Sequence, residues 1–478
     1  MCSRSAPDWK RHLEFDGISS GCYPVCLELH MCMRAVLYSL LQVIIIGAGF
    51  GLGHLFAGDQ PAKLLEVFNE YKLYAHSLKM DGLLAFATYG ESGEGYVCSN
   101  EDIKDSSYDP TISRVEPPSE ERLKSSIFEL VRNDKFRLPV FYPDKQNLLV
   151  WCDAQGREHP VQTKADWEKR RAHIISSMEA VMGRMPGTNY KVPLDMQVHE
   201  ESRLDDYTLQ KITYSSEKGD RVPAYLLRPH GISGKAPAML CLHQTTSLGK
   251  AEPVGHGPKT NLHYAHELAK RGYVTLSPDY PNFGEYKIDV YKLGYESATM
   301  KGIWNHHRAI DLLSSLPFVD PERIGVIGHS LGGHNAMFVA VFDSRIKAVV
   351  VSCGFNSFFK YAGGNIRGWS HAGYMPRIAS VYNNDARLMP FDFTEVLAAL
   401  APRPVFINAP LYDDNFEVSG VRDCIIAALP VYKLYGAVDN LKVLHPACGH
   451  DFPPDVRMAA YEWLDRYLKA IGTDSTPK

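Results

Sequence analysis

The stretch that decides the fold reads Gly328-His329-Ser330-Leu331-Gly332-Gly333. A short apolar segment, residues 323–327, precedes it, and a helix-forming segment, residues 335–342, follows it. A strand, a G-x-S-x-G turn and a helix in this order form the sharp turn that presents a nucleophilic serine above the edge of a sheet. Glycines on both sides of the serine remove the Cβ atoms that would collide there. We therefore expect Ser330 to be a nucleophile.

A serine nucleophile needs a general base, and the sequence context favours His450. Residues 441–444 read as a last strand, residues 446–453 as a loop and residues 456–470 as an amphipathic closing helix. Of the 19 histidines, His450 has both the position and the context of a base. It would take the proton of Ser330 and return it to the leaving group.

A carboxylate that orients this histidine is expected between the two residues. Residues 404–408 read as a short strand, and the loop after it contains Asp413 and Asp414. Such a carboxylate accepts the second N–H of the histidine and holds its tautomer. The spacing favours Asp413, with Asp414 as the alternate, and Asp439 and Glu417 are weaker candidates.

The donors that stabilise a negatively charged oxygen are expected after an earlier central strand, residues 238–242. The backbone N–H of Gln244 or Thr245, with that of Leu331, would form this oxyanion hole. The common His-Gly dipeptide is replaced here by His243-Gln244. The choice between Gln244 and Thr245 is therefore open.

With these residues in place, the C-terminal half of the chain resembles the α/β-hydrolase superfamily. Within it, the chain is similar to the catalytic domains of dienelactone hydrolases, acetyl xylan esterases and prolyl oligopeptidases. The resemblance rests on four segments: residues 222–229, residues 273–280, the serine turn and Cys448-Gly449-His450. Dienelactone hydrolases use a cysteine nucleophile, so the serine argues against that activity.

The pattern of segments agrees with an α/β-hydrolase fold, in which a mostly parallel central sheet has helices on both faces. After an antiparallel pair at 208–214 and 221–228, apolar strands alternate with helical patterns at 262–271, 295–316 and 418–436. This alternation predicts a parallel sheet with its ligand site beyond the carboxyl ends of the strands. Residues 354–400 are longer than a plain connection and rich in aromatic side chains. They either cover the substrate pocket or form an ordinary surface helix and loop.

Composition indicates a globular protein: 478 residues, 45% hydrophobic, 22% charged and a net charge of −4. One hydrolase domain leaves roughly 200 residues over. We expect an N-terminal extension at 1–58, a mixed, largely helical accessory region at 59–204 and the catalytic domain at 205–472. A capping box formed by Thr163 and Asp166 predicts a helix that ends at Gly183. The near-neutral charge does not favour nucleic-acid binding. No nucleotide-binding or zinc motif is present, so we expect neither a cofactor nor a metal.

Residues 35–57 bear on where in or outside the cell the protein is located. They carry no formal charge apart from a proton on His54. With Arg34 before it and Leu55-Phe56-Ala57 at its end, the run resembles a signal peptide that starts at Met31 or Met33. We expect an exported protein, periplasmic or secreted. Because the run is long enough to span a bilayer, membrane anchoring through residues 35–57 is the alternative. A buried core segment is the third reading.

The leading hypothesis is a serine hydrolase that cleaves a carbohydrate or other small-molecule ester through an acyl-enzyme. A peptidase of the prolyl oligopeptidase type is the first alternative. It would need a large propeller or cap that limits access, and the N-terminal half shows no propeller repeat of about 40–50 residues. A non-catalytic, hydrolase-like binding protein is the other alternative. It would be favoured only if the serine, the histidine or the carboxylate of the catalytic triad were missing.

Overall fold

The computed structural model describes residues 139–469. The predicted extension 1–58, the uncharged run 35–57 and the first part of the accessory region lie outside the described residues. Within residues 139–469, no helix has the length and apolar character needed to cross a membrane.

Eleven strands are assigned in residues 139–469. They are β1 (Val150–Cys152), β2 (Glu158–Pro160), β3 (Gln197–Arg203), β4 (Tyr207–Glu217), β5 (Asp220–Pro229), β6 (Ala236–Leu242), β7 (Val274–Pro278), β8 (Val319–His329), β9 (Ile346–Ser352), β10 (Val405–Asn408) and β11 (Leu441–Leu444). The helices of this part of the chain are α1 (Lys164–Met182), α2 (Tyr264–Lys270), α3 (Ala298–Ser315), α4 (Leu331–Phe342), α5 (Arg377–Ser380), α6 (Phe393–Ala398), α7 (Val418–Leu434) and α8 (Pro454–Leu468).

Nine strands form one sheet in the order β11-β10-β9-β8-β6-β7-β5-β4-β3. The six strands from β7 to β11 in this order are parallel, whereas β5 pairs antiparallel with both β7 and β4. Strands β1 and β2 form a separate antiparallel pair. The mostly parallel sheet confirms the predicted α/β-hydrolase fold.

Helices cover both faces of the sheet. Successive side chains of a strand point to opposite faces, so a strand that is apolar throughout must be covered on both. In β6, Ala238 and Leu240 belong to a core that includes side chains of α1, α3, α4 and α7. Their neighbours Met239 and Cys241 point the other way, into a second core with α2 and α8. Every residue of β6 is buried, so the strand reads as a continuous apolar run.

Helix α1 belongs to the accessory region but packs on the catalytic core. Its N-terminus is closed by the predicted capping box, in which Asp166 N–H donates to Thr163 Oγ1 at 3.2 Å and Thr163 N–H donates to Asp166 Oδ2 at 3.1 Å. It ends at Gly183, whose φ is 95°. Trp167 and Met178 are fully buried and lie in the same core as the central strands.

Strand β3 lies before residue 205, where the catalytic domain was predicted to begin, and yet it forms one edge of the main sheet. All seven of its residues are exposed. A polar edge strand has no apolar alternation to signal it, and its extended state comes from pairing with β4. The sheet therefore begins at Gln197.

Candidate active site

Ser330 lies in a strained turn between β8 and α4. Its φ and ψ are 54° and −118°, a backbone conformation that is costly for a residue with a side chain. The neighbouring glycines make the turn sterically feasible. A Cβ on Gly328 would come within 2.2 Å of Gly332 O, and a Cβ on Gly332 within 2.0 Å of Leu242 O. The turn is fixed further because Ser330 N–H donates to Ser352 O at 2.9 Å.

The structure brings Asp413 and His450 together. His450 Nδ1 lies 2.9 Å from Asp413 Oδ1 and 3.0 Å from Oδ2, across loops that follow β10 and β11. The backbone N–H groups of Asn415 and Phe416 also donate to Asp413, at 2.9 and 3.0 Å. Burial would raise the pKa of Asp413, but the hydrogen bond and charge of His450 and the two N–H groups hold it below its ordinary value.

The other predicted carboxylates do not reach this histidine. Asp414 is exposed, Glu417 accepts a hydrogen bond from Ser419, and Asp439 lies in the short turn before β11. Within residues 139–469, no hydrogen bond joins Ser330 Oγ to His450. In hydrolases of this kind, the bond between nucleophile and base is often long or poorly aligned until a substrate binds.

The loop after β6 is organised by His243. Tyr280 N–H donates to His243 Nε2 at 3.0 Å, so the ring proton is on Nδ1 and is donated to Gln244 O at 2.6 Å. Burial lowers the pKa of His243, which keeps the ring neutral. Within the described part of the chain, the backbone N–H groups of Gln244, Thr245 and Leu331 donate to no other residue. They are available to a ligand, and the structure leaves the choice between Gln244 and Thr245 open.

The segment 354–400 contains both core residues and residues beside the site. Trp369 is buried and belongs to the core that includes side chains of α1, α3, α4 and α7. Tyr374 is half-buried, and its hydroxyl lies 3.2 Å from Thr245 Oγ1, on the loop that carries the candidate oxyanion donors. Phe416, from the loop after β10, contacts Trp369 and His450, with ring centroids 6.2 and 5.9 Å away. Aromatic rings therefore extend from the candidate base toward the oxyanion loop.

Sequence reasoning missed a set of polar side chains at the ends of the strands beside the site. His329, Ser352 and Asn408 are the last residues of β8, β9 and β10, and all are buried. The sequence signal that could have identified them is a polar residue at the end of each apolar strand. Cys353 follows Ser352, and ligand-type atoms of Cys353, His329 and His450 lie within 4.8 Å of one another. Within residues 139–469, they form the group of three side chains whose ligand atoms lie close enough together to hold a metal ion. The expectation that no metal is needed stays a prediction.

Two family models match parts of the chain. The model for fungal glucuronyl esterases matches residues 283–436, and the model for FrsA-like esterases matches residues 191–358. Both matched stretches contain Ser330, but His450 lies beyond both.

Three relatives illustrate the similarity in sequence. YtaP of Bacillus subtilis, described only as a hydrolase, is 24% identical over 312 residues, which cover 62% of this chain and 100% of YtaP. The 4-O-methyl-glucuronoyl methylesterase of Hypocrea jecorina is 25% identical over 210 residues, 39% of this chain and 44% of that protein. The uncharacterized peptidase YuxL of Bacillus subtilis is 25% identical over 256 residues, 47% of this chain and 37% of YuxL. The chain thus spans less than half the length of the last two.

Solved structures of similar fold include glucuronoyl esterases. The enzyme from Solibacter usitatus superposes with a TM-score of 0.54 at 19% identity, over 67% of this chain and 97% of that chain. The enzyme from Teredinibacter turnerae gives 0.53 at 18% identity, over 67% and 88%. At these identities the likeness shows the fold. The chain therefore has the α/β-hydrolase fold, and the two family models that match parts of it describe esterases.

Proposed function

We propose that this protein is a serine carboxylic ester hydrolase that acts on a carbohydrate ester through an acyl-enzyme. The observation that carries the proposal is the contact of His450 Nδ1 with both carboxylate oxygens of Asp413, at 2.9 and 3.0 Å. A buried carboxylate in this position fixes the tautomer in which Nε2 is free to accept a proton. The strained turn at Ser330 supplies the nucleophile.

The residues take distinct roles in this mechanism. Ser330 Oγ attacks the acyl carbon while His450 accepts its proton, and the negative oxygen is held by the N–H of Leu331 and that of Gln244 or Thr245. The bond to the alkoxy group breaks, and the leaving alcohol takes the proton from His450. A water molecule then attacks the acyl-enzyme, gives a proton to His450 and releases the acid, and Ser330 recovers its proton.

The matches to glucuronyl esterases support a carbohydrate ester in which the sugar contributes the acid. The sequence resemblance to acetyl xylan esterases supports the opposite arrangement, in which the sugar contributes the alcohol. Both belong to one substrate class and need the same three catalytic groups. The half-buried ring of Tyr374, beside the loop that carries the oxyanion donors, would contact the sugar in either case, because aromatic faces pack well on apolar ring surfaces.

The test combines active-site labelling with a substrate comparison. A fluorophosphonate probe should label the purified protein at Ser330, as mapped by mass spectrometry. The panel compares kcat/KM for the methyl ester of 4-O-methyl-glucuronic acid, acetylated xylo-oligosaccharides, nitrophenyl acetate and a prolyl amide. We expect both carbohydrate esters to be better substrates than the amide.

Ser330→Ala is the matched variant and should lose several orders of magnitude of activity while remaining folded. Labelling at another residue would remove Ser330 from the mechanism. Faster cleavage of the prolyl amide would favour a peptidase, and a folded protein that neither reacts with the probe nor cleaves any substrate would favour a binding protein.

We also propose that the protein is exported, on the basis of the uncharged run at residues 35–57. Cell fractionation with N-terminal sequencing tests this. Cleavage after Ala57 is the expected result, and retention of the run in a membrane fraction would indicate an anchor. Recovery from the cytoplasm of a chain that begins before Met31 would contradict both.

A further inference from the structure

Three neighbouring parallel strands end in polar side chains at the same level of the sheet. His329 of β8 is paired in register with Ser352 of β9, and Ser352 is paired with Asn408 of β10. Residues paired in this way point to the same face. The side chains are bonded in a row: Asn408 Nδ2 lies 2.9 Å from Ser352 Oγ, and Ser352 Oγ lies 2.9 Å from His329 Nδ1. All three residues are at most 1% exposed.

One end of this row holds the loop that carries His450. Asn408 Nδ2 donates to the carbonyl oxygen of Asp451 at 2.8 Å, and Cys353 Sγ donates to the same oxygen at 3.3 Å. Because a carbonyl oxygen only accepts, the nitrogen of the Asn408 amide must face it. Asp451 directly follows His450, so these bonds fix the backbone next to the candidate base.

The other end of the row reaches the nucleophile. His329 directly precedes Ser330, and the N–H of Ser330 donates to the backbone oxygen of Ser352. Ser352 Oγ accepts from Asn408, so its own hydrogen is free for His329 Nδ1. Burial lowers the pKa of His329 well below its ordinary value, which keeps that ring neutral. The neutral ring packs edge-on against His450, with centroids 4.8 Å apart.

Asn408 also has a cost in stability. Its Oδ1 is buried without a hydrogen-bond partner, and such a group costs about 1–3 kcal/mol. An apolar side chain of similar volume would avoid this cost but would lose the bonds to Ser352 Oγ and to the carbonyl oxygen of Asp451.

We propose that Asn408, Ser352 and His329 form a positioning network that sets the distance and angle between Ser330 and His450. None of the three is proposed to touch the substrate. The inference rests on the ester hydrolase mechanism proposed above. A shift of about 1 Å between reacting groups can cost about a hundredfold in rate, so a rigid connection between the two loops is worth its cost in stability.

The test uses matched pairs of variants in the full chain. Asn408→Ala removes the amide, and Ser352→Ala removes the hydroxyl between Asn408 and His329. Their controls are Asn356→Ala and Ser357→Ala, since Asn356 and Ser357 are equally buried and lie on the segment after β9. The Asn356 amide has no hydrogen-bond partner, and Ser357 bonds to Asp392 instead. Each protein is assayed for kcat, KM and thermal unfolding with the same ester.

For Asn408→Ala we expect kcat to fall by about tenfold to a hundredfold, with KM within about twofold of the wild-type value. Ser352→Ala should lower kcat by a smaller factor, and it keeps the test valid if Asn408→Ala does not fold. Because the residues act as a unit, the double variant should lose little more than Asn408→Ala alone. The two controls should keep the wild-type kcat.

Several results would overturn the network. These are a wild-type kcat in folded Asn408→Ala or Ser352→Ala, an equal loss in the controls, or a change confined to KM. An inactive wild-type protein that fluorophosphonate does not label is a different failure, because it removes the proposed ester hydrolase itself.

Discussion

At the scale of single residues, the site depends on which of two adjacent carboxylates faces His450. Asp413 is buried and accepts hydrogen bonds from His450 and from two backbone N–H groups, whereas Asp414 points to solvent. The same contacts hold the pKa of Asp413 below its ordinary value, so its carboxylate stays ionised through the neutral range. Its proposed role is to orient the imidazole and to stabilise the positive charge that forms on it.

We predict that Asp413→Asn lowers kcat by about a thousandfold or more, because the new amide would favour the wrong tautomer of His450. Asp414→Asn is the matched control, and its kcat should stay within about twofold of the wild-type value, an effect expected of an exposed side chain. Steady-state kinetics on nitrophenyl acetate measure both. The reverse ranking would assign the role to Asp414.

At the scale of elements, the accessory helix α1 is joined to the short helix α6 through buried charges. Arg170 donates to Glu395 Oε1 at 2.6 Å, and Lys145 Nζ lies 3.5 Å from Glu395 Oε2. Lys145 and Arg170 both precede the catalytic sheet in sequence, and Glu395 lies within the long segment 354–400. One carboxylate therefore pairs with two cationic side chains from the accessory region, and all three side chains are almost fully buried.

We predict that Glu395→Gln destabilises the protein by about 3 kcal/mol or more, because it leaves buried cations without their partner. Glutamine can still accept the N–H of Asp392, so the cap of α6 is kept. Glu322→Gln is the control, since the ion pair of Glu322 with Lys347 is at the surface and is worth less than about 1 kcal/mol. Urea unfolding curves measure both changes. Equal, small effects would mean that α1 docks by apolar packing alone.

At the scale of the whole molecule, buried neutral histidines make stability depend on pH. Burial lowers the pKa of His306 and that of His334 from about 6.5 to about 3. Between these values the unfolded chain binds a proton at each histidine and the folded chain does not. Stability from these groups is therefore fully present above pH 6.5 and is lost as the pH falls toward 3.

We predict that the free energy of unfolding falls between pH 6.5 and pH 4.5, with each of the two histidines adding about 1.4 kcal/mol per pH unit to the slope. His334→Phe keeps a ring of similar shape among Trp369 and Tyr374 and should remove one histidine's share of the slope. His199→Gln, on the exposed strand β3, should leave the slope unchanged. Urea unfolding curves recorded across this pH range measure the slope. An unchanged slope in His334→Phe would show that His334 is not held neutral in the folded protein.

The sequence by itself determined the elements whose signals are local. The strand, turn and helix around Ser330, the capping box at Thr163 and the stop at Gly183 each follow from residues a few positions apart. The buried parallel strands are continuous apolar runs, and their alternation with helices predicted a sheet covered on both faces. Such patterns can be read from the sequence because each depends on the backbone geometry and the polarity of residues that are close together in the chain.

Only the tertiary structure decided what depends on partners distant in sequence. The polar strand β3 is extended because β4 pairs with it, and the contact of Asp413 with His450 depends on how two loops meet. Likewise, His329, Ser352 and Asn408 are ordinary strand ends until the register of three strands places them side by side. The physical reason is that hydrogen bonds between segments far apart in the chain fix which side chains face each other, and no local pattern contains that information.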